Sequence, residues 1–252
     1  MISNSESHAG LPKTHHLFED NSKIFGVDSN LSFKKVVNHL KKNDLHDADA
    51  IFLTGDISQD ESKGSYQLLV DELKDLGLSI YWIPGNHDSL INMESELSKN
   101  ELFIRTSKLA TSSWDYIFLN THESGTDKGH LSEFELNLLE TELKSSKDKS
   151  IAIVMHHHPV EVGTPLIDEY QLKNKDEFWN ILSRYSVNLI ICGHVHGCYT
   201  LNNGNTKIET SPATCLQWKK GTTDLIIEHQ IGYKIYNFTS NHYVAETKIW
   251  NN

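Results

Sequence analysis

What the chain has little of narrows its class. Its three cysteines, Cys192, Cys198 and Cys215, are an odd number without C-x-x-C spacing. That argues against a disulfide framework or a structural zinc knuckle and for reduced thiols. Positive charge is also scarce, with 23 Lys and Arg against 34 Asp and Glu and a formal net charge of -11. Nucleic-acid phosphates and anionic membrane surfaces both reward basic excess, so neither a nucleic-acid polymer nor a membrane is expected as the main partner. No apolar run approaches the roughly 20 residues of a membrane span. The opening "MISNSESHAGLP" has neither the basic start nor the apolar run of a secretory leader. A cytoplasmic monomer or homodimer is the expectation. Internal repeats, low-complexity tracts and Pro/Gly-rich linkers are missing too, which predicts one domain over residues 14–252 behind a polar segment, residues 1–13.

What is present alternates. With 252 residues, 38% of them hydrophobic, the chain can bury one substantial core. Phe33, Val36, Val37 and Leu40 follow the i, i+3, i+4, i+7 spacing of an amphipathic helix, and "ADAIFLTGD" then reads as a buried strand that breaks at Gly55. The same order recurs in "SYQLLVDELKDLG" before "LSIYWIPGNHD", "LSEFELNLLETEL" before "SIAIVMHHHP", and "DEFWNILSRYS" before "VNLIICGHVHG". Four helix-then-strand units predict α/β layering. Ser132 followed by Glu135 makes a capping-box pattern at the third helix. From about Cys198 the text becomes β, with "CYTLNNGNTKIETSP" a hairpin and "TDLIIEHQIGYKIYNFTS" and "YVAETKIW" further strands.

The chemistry lies where each strand stops. Four apolar strands end in "GDISQD", "GNHD", "HHHP" and "GHVH", delivering Asp56, Asn86, His87, Asp88, His156, His157, His158, His194 and His196. Ligands of α/β sheets bind beyond the carboxyl ends of strands, so these segments are expected to converge in one crevice. Glycine before the polar residues permits a sharp exit from the strand and close approach of backbone to an ion. Each segment alone is an ordinary turn, but the four together point to a ligand. The unusual count of 15 histidines adds to this, since imidazole is the commonest side-chain metal ligand. Oxygen and imidazole donors without thiolate suit Fe, Mn or Zn.

The set GD, GNHD, HHHP and GHVH resembles the calcineurin-like metallophosphoesterase superfamily. "HLFEDNSKIFGVDSNLSF", "YWIPGNHD", "GHLSEFELNLLE", "HHHPVEVGTPLID" and "SPATCLQWK" are most similar to the bacterial class III 3′,5′-cyclic AMP phosphodiesterases. The resemblance covers residues 14 to about 230. It implies a four-layer α/β sandwich of two mixed β-sheets flanked by helices. It also implies two divalent or mixed-valence metal ions with a hydroxide between them, a cyclic nucleotide as the small-molecule partner, and hydrolysis of cyclic AMP to 5′-AMP. Carried over by motif, one metal would take His16, Asp56 and His196, and the other Asp56, Asn86, His156 and His194. His87 would be the catalytic residue, and Asn86, His87, His16 and His196 would meet the substrate phosphate. Asp88 is expected to orient His87 or cap its turn, Asp60 to support the ligands, and His157 and His158 to line the cleft or lie on the surface.

One motif departs from the pattern. The family's first Asp-x-His places its Asp about 42 residues before Asp56, which falls on Thr14, with His16 in the histidine position. Threonine is a weak, neutral ligand, so the first metal site loses a charge and a donor. The apolar strand that should precede it is missing or altered. "ESH", Glu6 to His8, imitates the motif too early in the chain, and His15 or Glu19 could substitute. Alternatives therefore stay open: hydrolysis of another phosphodiester or a pyrophosphate, or a degenerate protein that retains an incomplete metal site.

Overall fold

The computed structural model describes residues 17–20, 22–146 and 148–252. Thr14 and His16, together with Glu6, His8 and His15, lie outside the described residues, and so does the stretch where a missing or altered first strand was expected. The described chain begins with Leu17, buried and bridged in parallel to Ser58. Its N–H donates to the Ile57 carbonyl at 3.1 Å, and its carbonyl accepts from Gln59 N at 3.1 Å.

In chain order the first half comprises β1 (Lys23–Ile24), β2 (Val27–Asp28), α1 (Ser29–Asn43), β3 (Ala50–Leu53), α2 (Lys63–Leu73), β4 (Ser79–Trp82) and α3 (Leu90–Leu97). Then follow β5 (Phe103–Ile104), β6 (Lys108–Ala110), β7 (Trp114–Phe118), α4 (Glu133–Ser145), β8 (Ser150–Met155), α5 (Pro165–Asp168), α6 (Lys175–Leu182) and β9 (Leu189–Cys192). The remainder is β, with β10 (Thr200–Asn203), β11 (Thr206–Thr210), β12 (Gln217–Trp218), β13 (Ile227–Glu228), β14 (Gln230–Phe238) and β15 (Tyr243–Asn251). All four helix-then-strand units form where the periodicity predicts them. The periodicity gives no sign of α3, α5, the β1–β2 hairpin or β5 to β7. Of these β7 matters most, because it lies inside the larger sheet.

That sheet has the order β10-β11-β9-β8-β7-β6, mixed in direction, with β7, β8, β9 and β11 parallel. The second sheet of the sandwich is β3-β4-β5, all parallel. Strand alternation sorts their side chains into layers. Ile151, Ile153 and Met155 of β8 pack outward on Leu139 and Leu143 of α4 and Phe178 of α6. Ala152 and Val154 point inward, where they meet Phe52 of β3 and the half-buried Tyr81 of β4. On the far side, Ile51, Leu53, Ile80 and Trp82 pack against Phe33, Val37, Leu69 and Met93 of α1, α2 and α3. The result is four layers, helix–sheet–sheet–helix. β8 and β9 are apolar on both faces, as buried parallel strands must be. The β14–β15 hairpin closes the assembly, with Tyr233 against the first helical layer and Tyr236 and Phe238 against the inner layer.

Local signals account for the ends of the helices. Asp28, Ser62, Ser89 and Ser132 each cap a helix by accepting from a backbone N–H three residues on. The Ser132 cap forms, but the Glu135 carboxylate turns to Asn120 N at 3.1 Å, so the helix start is tied to the end of β7.

Candidate metal centre

β3, β4, β8 and β9 end at matching levels, with Leu53 opposite Trp82 and Met155 opposite Cys192. Their polar exits therefore meet at one edge of the sandwich. The backbones come unusually close there. A Cβ on Gly85 would lie 2.0 Å from Asp56 Oδ1, and one on Gly55 would lie 2.6 Å from both Gly85 N and His156 Nδ1. Only glycine fits those two positions. Asp56, His194 and His196 hold positive φ angles of 52, 64 and 42 degrees, a conformation that non-glycine residues keep only where surroundings enforce it.

Four side chains converge. His156 Nε2 lies 3.2 Å from Asp56 Oδ2, 3.1 Å from Asn86 Oδ1 and 3.3 Å from His194 Nδ1, and Asn86 Oδ1 is 3.1 Å from His194 Nδ1. Metal–ligand bonds of about 2.1 Å place neighbouring ligand atoms roughly 3.0–3.4 Å apart, so this donor set fits a single cation. Asp56, His156 and His194 are buried and Asn86 is half-buried, and the carboxylate needs a counter-charge. The Thr54 carbonyl, 2.7 Å from His156 Nδ1, accepts that N–H and leaves Nε2 aimed at the cluster. Burial by itself would lower the His156 pKa, but the Asp56 carboxylate outweighs it and holds it above the ordinary histidine range.

Asp56 Oδ1 accepts from His87 N at 2.9 Å, which fixes the Asn86–His87 turn against the first loop. Asp88 caps both turns: Oδ1 accepts from Ile57 N and Ser58 N at 3.0 Å and from the Tyr66 hydroxyl at 3.2 Å, and Oδ2 from Gly85 N at 2.9 Å. Burial and the nearby Asp56 carboxylate push Asp88 up to about 7. Asp60 secures the start of the described chain, accepting from Glu19 N at 2.8 Å, Ser58 Oγ at 3.1 Å and Ser62 N at 3.0 Å. Burial opposes its ionisation, yet these bonds hold its carboxyl below the usual range. Glu19 itself is exposed, with its side chain against Gly64.

His157 and His158 depart from the expectation of a cleft or surface position, since both are fully buried. His157 clusters with His156 and His194, their nearest ring nitrogens within 4.8 Å of one another. Both of its nitrogens are nevertheless engaged, Nδ1 with the Thr121 hydroxyl at 2.7 Å and Nε2 with the Asp127 carbonyl at 3.2 Å. Burial and neighbouring His156 push it well below the histidine range. With both nitrogens engaged, it braces the candidate cluster from within the fold. His158 stacks on His194 and faces Asp168 at 3.7 Å. His196 is buried and stacks on Trp218, with ring centroids 5.5 Å apart.

A fifth strand exit reaches the same region. After β7, Thr121 bonds His157, and the half-buried His122 is pushed below the ordinary range by its burial, with Asp56 acting in the opposite direction. "WDYIFLNTH" carried the same signal as the other four exits, an apolar run ending in polar residues.

The profile of the calcineurin-like phosphoesterases matches residues 14–198. The chain belongs to that family. Among curated relatives, a "probable cyclic nucleotide phosphodiesterase" of Coxiella burnetii is 37% identical over 203 residues, 80% of this chain and 82% of the relative. A 3′,5′-cyclic adenosine monophosphate phosphodiesterase of Vibrio vulnificus is 33% identical over 219 residues, 86% and 80% of the two chains. Among solved structures, a dimetal phosphatase from Danio rerio matches with a TM-score of 0.62 at 12% identity, covering 87% of this chain and 89% of that one. The last comparison speaks to fold alone. This phosphoesterase thus has the metallophosphoesterase sandwich, and family membership implies divalent metal ions. No helix among the described residues is long and apolar enough to cross a membrane.

Proposed function

We propose that this phosphoesterase hydrolyses 3′,5′-cyclic AMP to 5′-AMP. The observation that carries the reading is the convergence of Asp56, Asn86, His156 and His194 at 3.1–3.3 Å. The names of the Coxiella and Vibrio relatives support the substrate class. In this reading Asp56, Asn86, His156 and His194 hold one divalent ion, and Asp56, His196 and His16 serve a second. Bound there, such ions supply Lewis-acid polarisation of the phosphoryl group and lower the pKa of water. The chain's own residues do the rest. The Asn86 amide nitrogen is buried without a partner among the described residues, and it donates to a phosphate oxygen. His87, anchored through its backbone N–H on Asp56, presents its imidazole to the departing 3′ oxygen and gives it a proton. Asp88 keeps both turns in register, so that Asn86 and His87 act together.

The test is hydrolysis of cyclic AMP with added manganese, with Asn86→Ala as the inactive control. Turnover in the native chain that Asn86→Ala lowers at least 100-fold supports the reading; turnover that survives Asn86→Ala overturns it. Thr14 in the place of the family's Asp favours a second reading, a site loaded with one ion. Metal content separates them, since two ions per chain fit the dinuclear enzyme and one fits the incomplete site.

A further inference from the structure

The turn joining β1 and β2 breaks a local rule. Lys23 pairs with Asp28 and Ile24 with Val27, leaving a two-residue turn of Phe25 and Gly26 with φ angles of 49 and 78 degrees. Two positive φ angles in succession define the tight hairpin turn that asparagine–glycine serves best, and a bulky aromatic is poorly suited to its first position. Phe25 also spends its ring at the surface, where it is 37% exposed. A strained, half-exposed aromatic points to a use outside the turn's own stability.

Its neighbours indicate that use. The Phe25 ring stands edge-on to Trp218, centroids 6.4 Å apart at 81 degrees. Trp218 in turn lies nearly parallel to the His196 imidazole, 5.5 Å away at 24 degrees. The Trp218 backbone N–H donates to the His196 carbonyl at 3.0 Å, and the indole rests on an apolar cluster that includes Val27, Val162, Ile167 and Ala213. A run of flat rings therefore begins at His196, a candidate metal ligand, and ends at the partly exposed Phe25.

We propose that Phe25, backed by Trp218, is the shelf on which the purine base of the nucleotide stacks, an inference that rests on the cyclic-nucleotide reading above. A phosphate held by the strand exits carries its sugar and base outward, and every base offers a flat π face that stacks on an aromatic ring. The shelf sets preference for nucleotides over base-free phosphate esters while leaving the reacting atoms alone.

The test is calorimetric binding of 5′-AMP and of ribose 5-phosphate to the full chain supplied with manganese. Wild type is expected to bind AMP about tenfold more tightly, as one base stack provides. Phe25→Leu keeps apolar bulk without the ring and reduces that ratio toward one, whereas Phe25→Trp retains it. Phe25→Asn relieves the positive φ, so it is expected to melt no lower than wild type and still lose the preference. Equal binding of the two ligands by wild type, or a ratio unchanged in Phe25→Leu and Phe25→Asn, overturns the shelf. Failure of wild type to hydrolyse cyclic AMP while preferring AMP overturns the substrate reading and supports the shelf.

Discussion

Replacing Asp88 tests how the Asp56 and Asn86–His87 turns are held together. Its carboxylate accepts four hydrogen bonds, three from buried backbone N–H groups of Ile57, Ser58 and Gly85 and one from Tyr66. Asp88→Ala strands those donors, at about 1–3 kcal/mol for each that water cannot reach. Opposing this is the relief of repulsion between Asp88 and Asp56, both buried. With three backbone donors lost against one like-charge contact, the hydrogen bonds win, and a net cost of roughly 3–5 kcal/mol is expected. In a chain of this size that lowers the melting temperature by about 10 °C. Asp88→Asn separates the two effects. Its single oxygen can keep the Ile57, Ser58 and Tyr66 bonds, while its amide group meets the Gly85 N–H, donor against donor. It is expected to fall between wild type and Asp88→Ala in urea or thermal unfolding of the metal-free protein. An Asn variant more stable than wild type, or an Ala variant within about 1 kcal/mol of it, would refute the argument and give repulsion the larger part.

Three further outcomes follow from the geometry. Gly85→Ala puts a methyl group 2.0 Å from Asp56 Oδ1, so the Asp56 and Asn86 loops must part; a manganese titration is expected to show affinity reduced at least tenfold. His157→Phe removes the bonds to Thr121 and Asp127 and is expected to cost about 2 kcal/mol in unfolding without changing metal stoichiometry, whereas loss of an ion would make His157 a ligand. Asp115 supplies the pH dependence. Burial raises its pKa, but Lys108, Lys149 and Ser146 overcompensate and hold it below the usual range. A carboxyl depressed in the folded state contributes stability above its unfolded pKa, about 3.9, and loses it as pH falls through the lower folded value. The urea midpoint should therefore drop below about pH 4 in wild type, and this acid limb should flatten in Asp115→Asn.

Much of the fold could be read locally, and the reasons are specific. Phe33, Val36, Val37 and Leu40 mark α1 because one helix face is buried, and all four are. β8 and β9 read as continuous apolar runs because they are covered on both faces. The polar exits of four strands were legible because glycine and polar residues interrupt those runs abruptly. β7 is hidden because Asp115 is its second residue, a charge in an otherwise apolar strand that becomes intelligible only once Lys108 and Lys149 are seen to pair with it. The smaller elements, β5 and β6, have two and three residues, too few for a period to show.

The sequence by itself determined the alternation of helix and strand, the family, and the residue types delivered at each strand end, because period and chain breaks are local properties. Only the tertiary structure decided what each delivered residue faces. His156, His157 and His158 are consecutive, yet the first joins Asp56 and Asn86, the second is spent on Thr121 and Asp127, and the third stacks against His194. Thr54 orients His156 across 102 residues of chain, and Phe25 meets Trp218 from a distant part of the sequence. Such contacts depend on how two sheets pack and where their edges coincide, a geometry that no stretch of neighbouring residues contains.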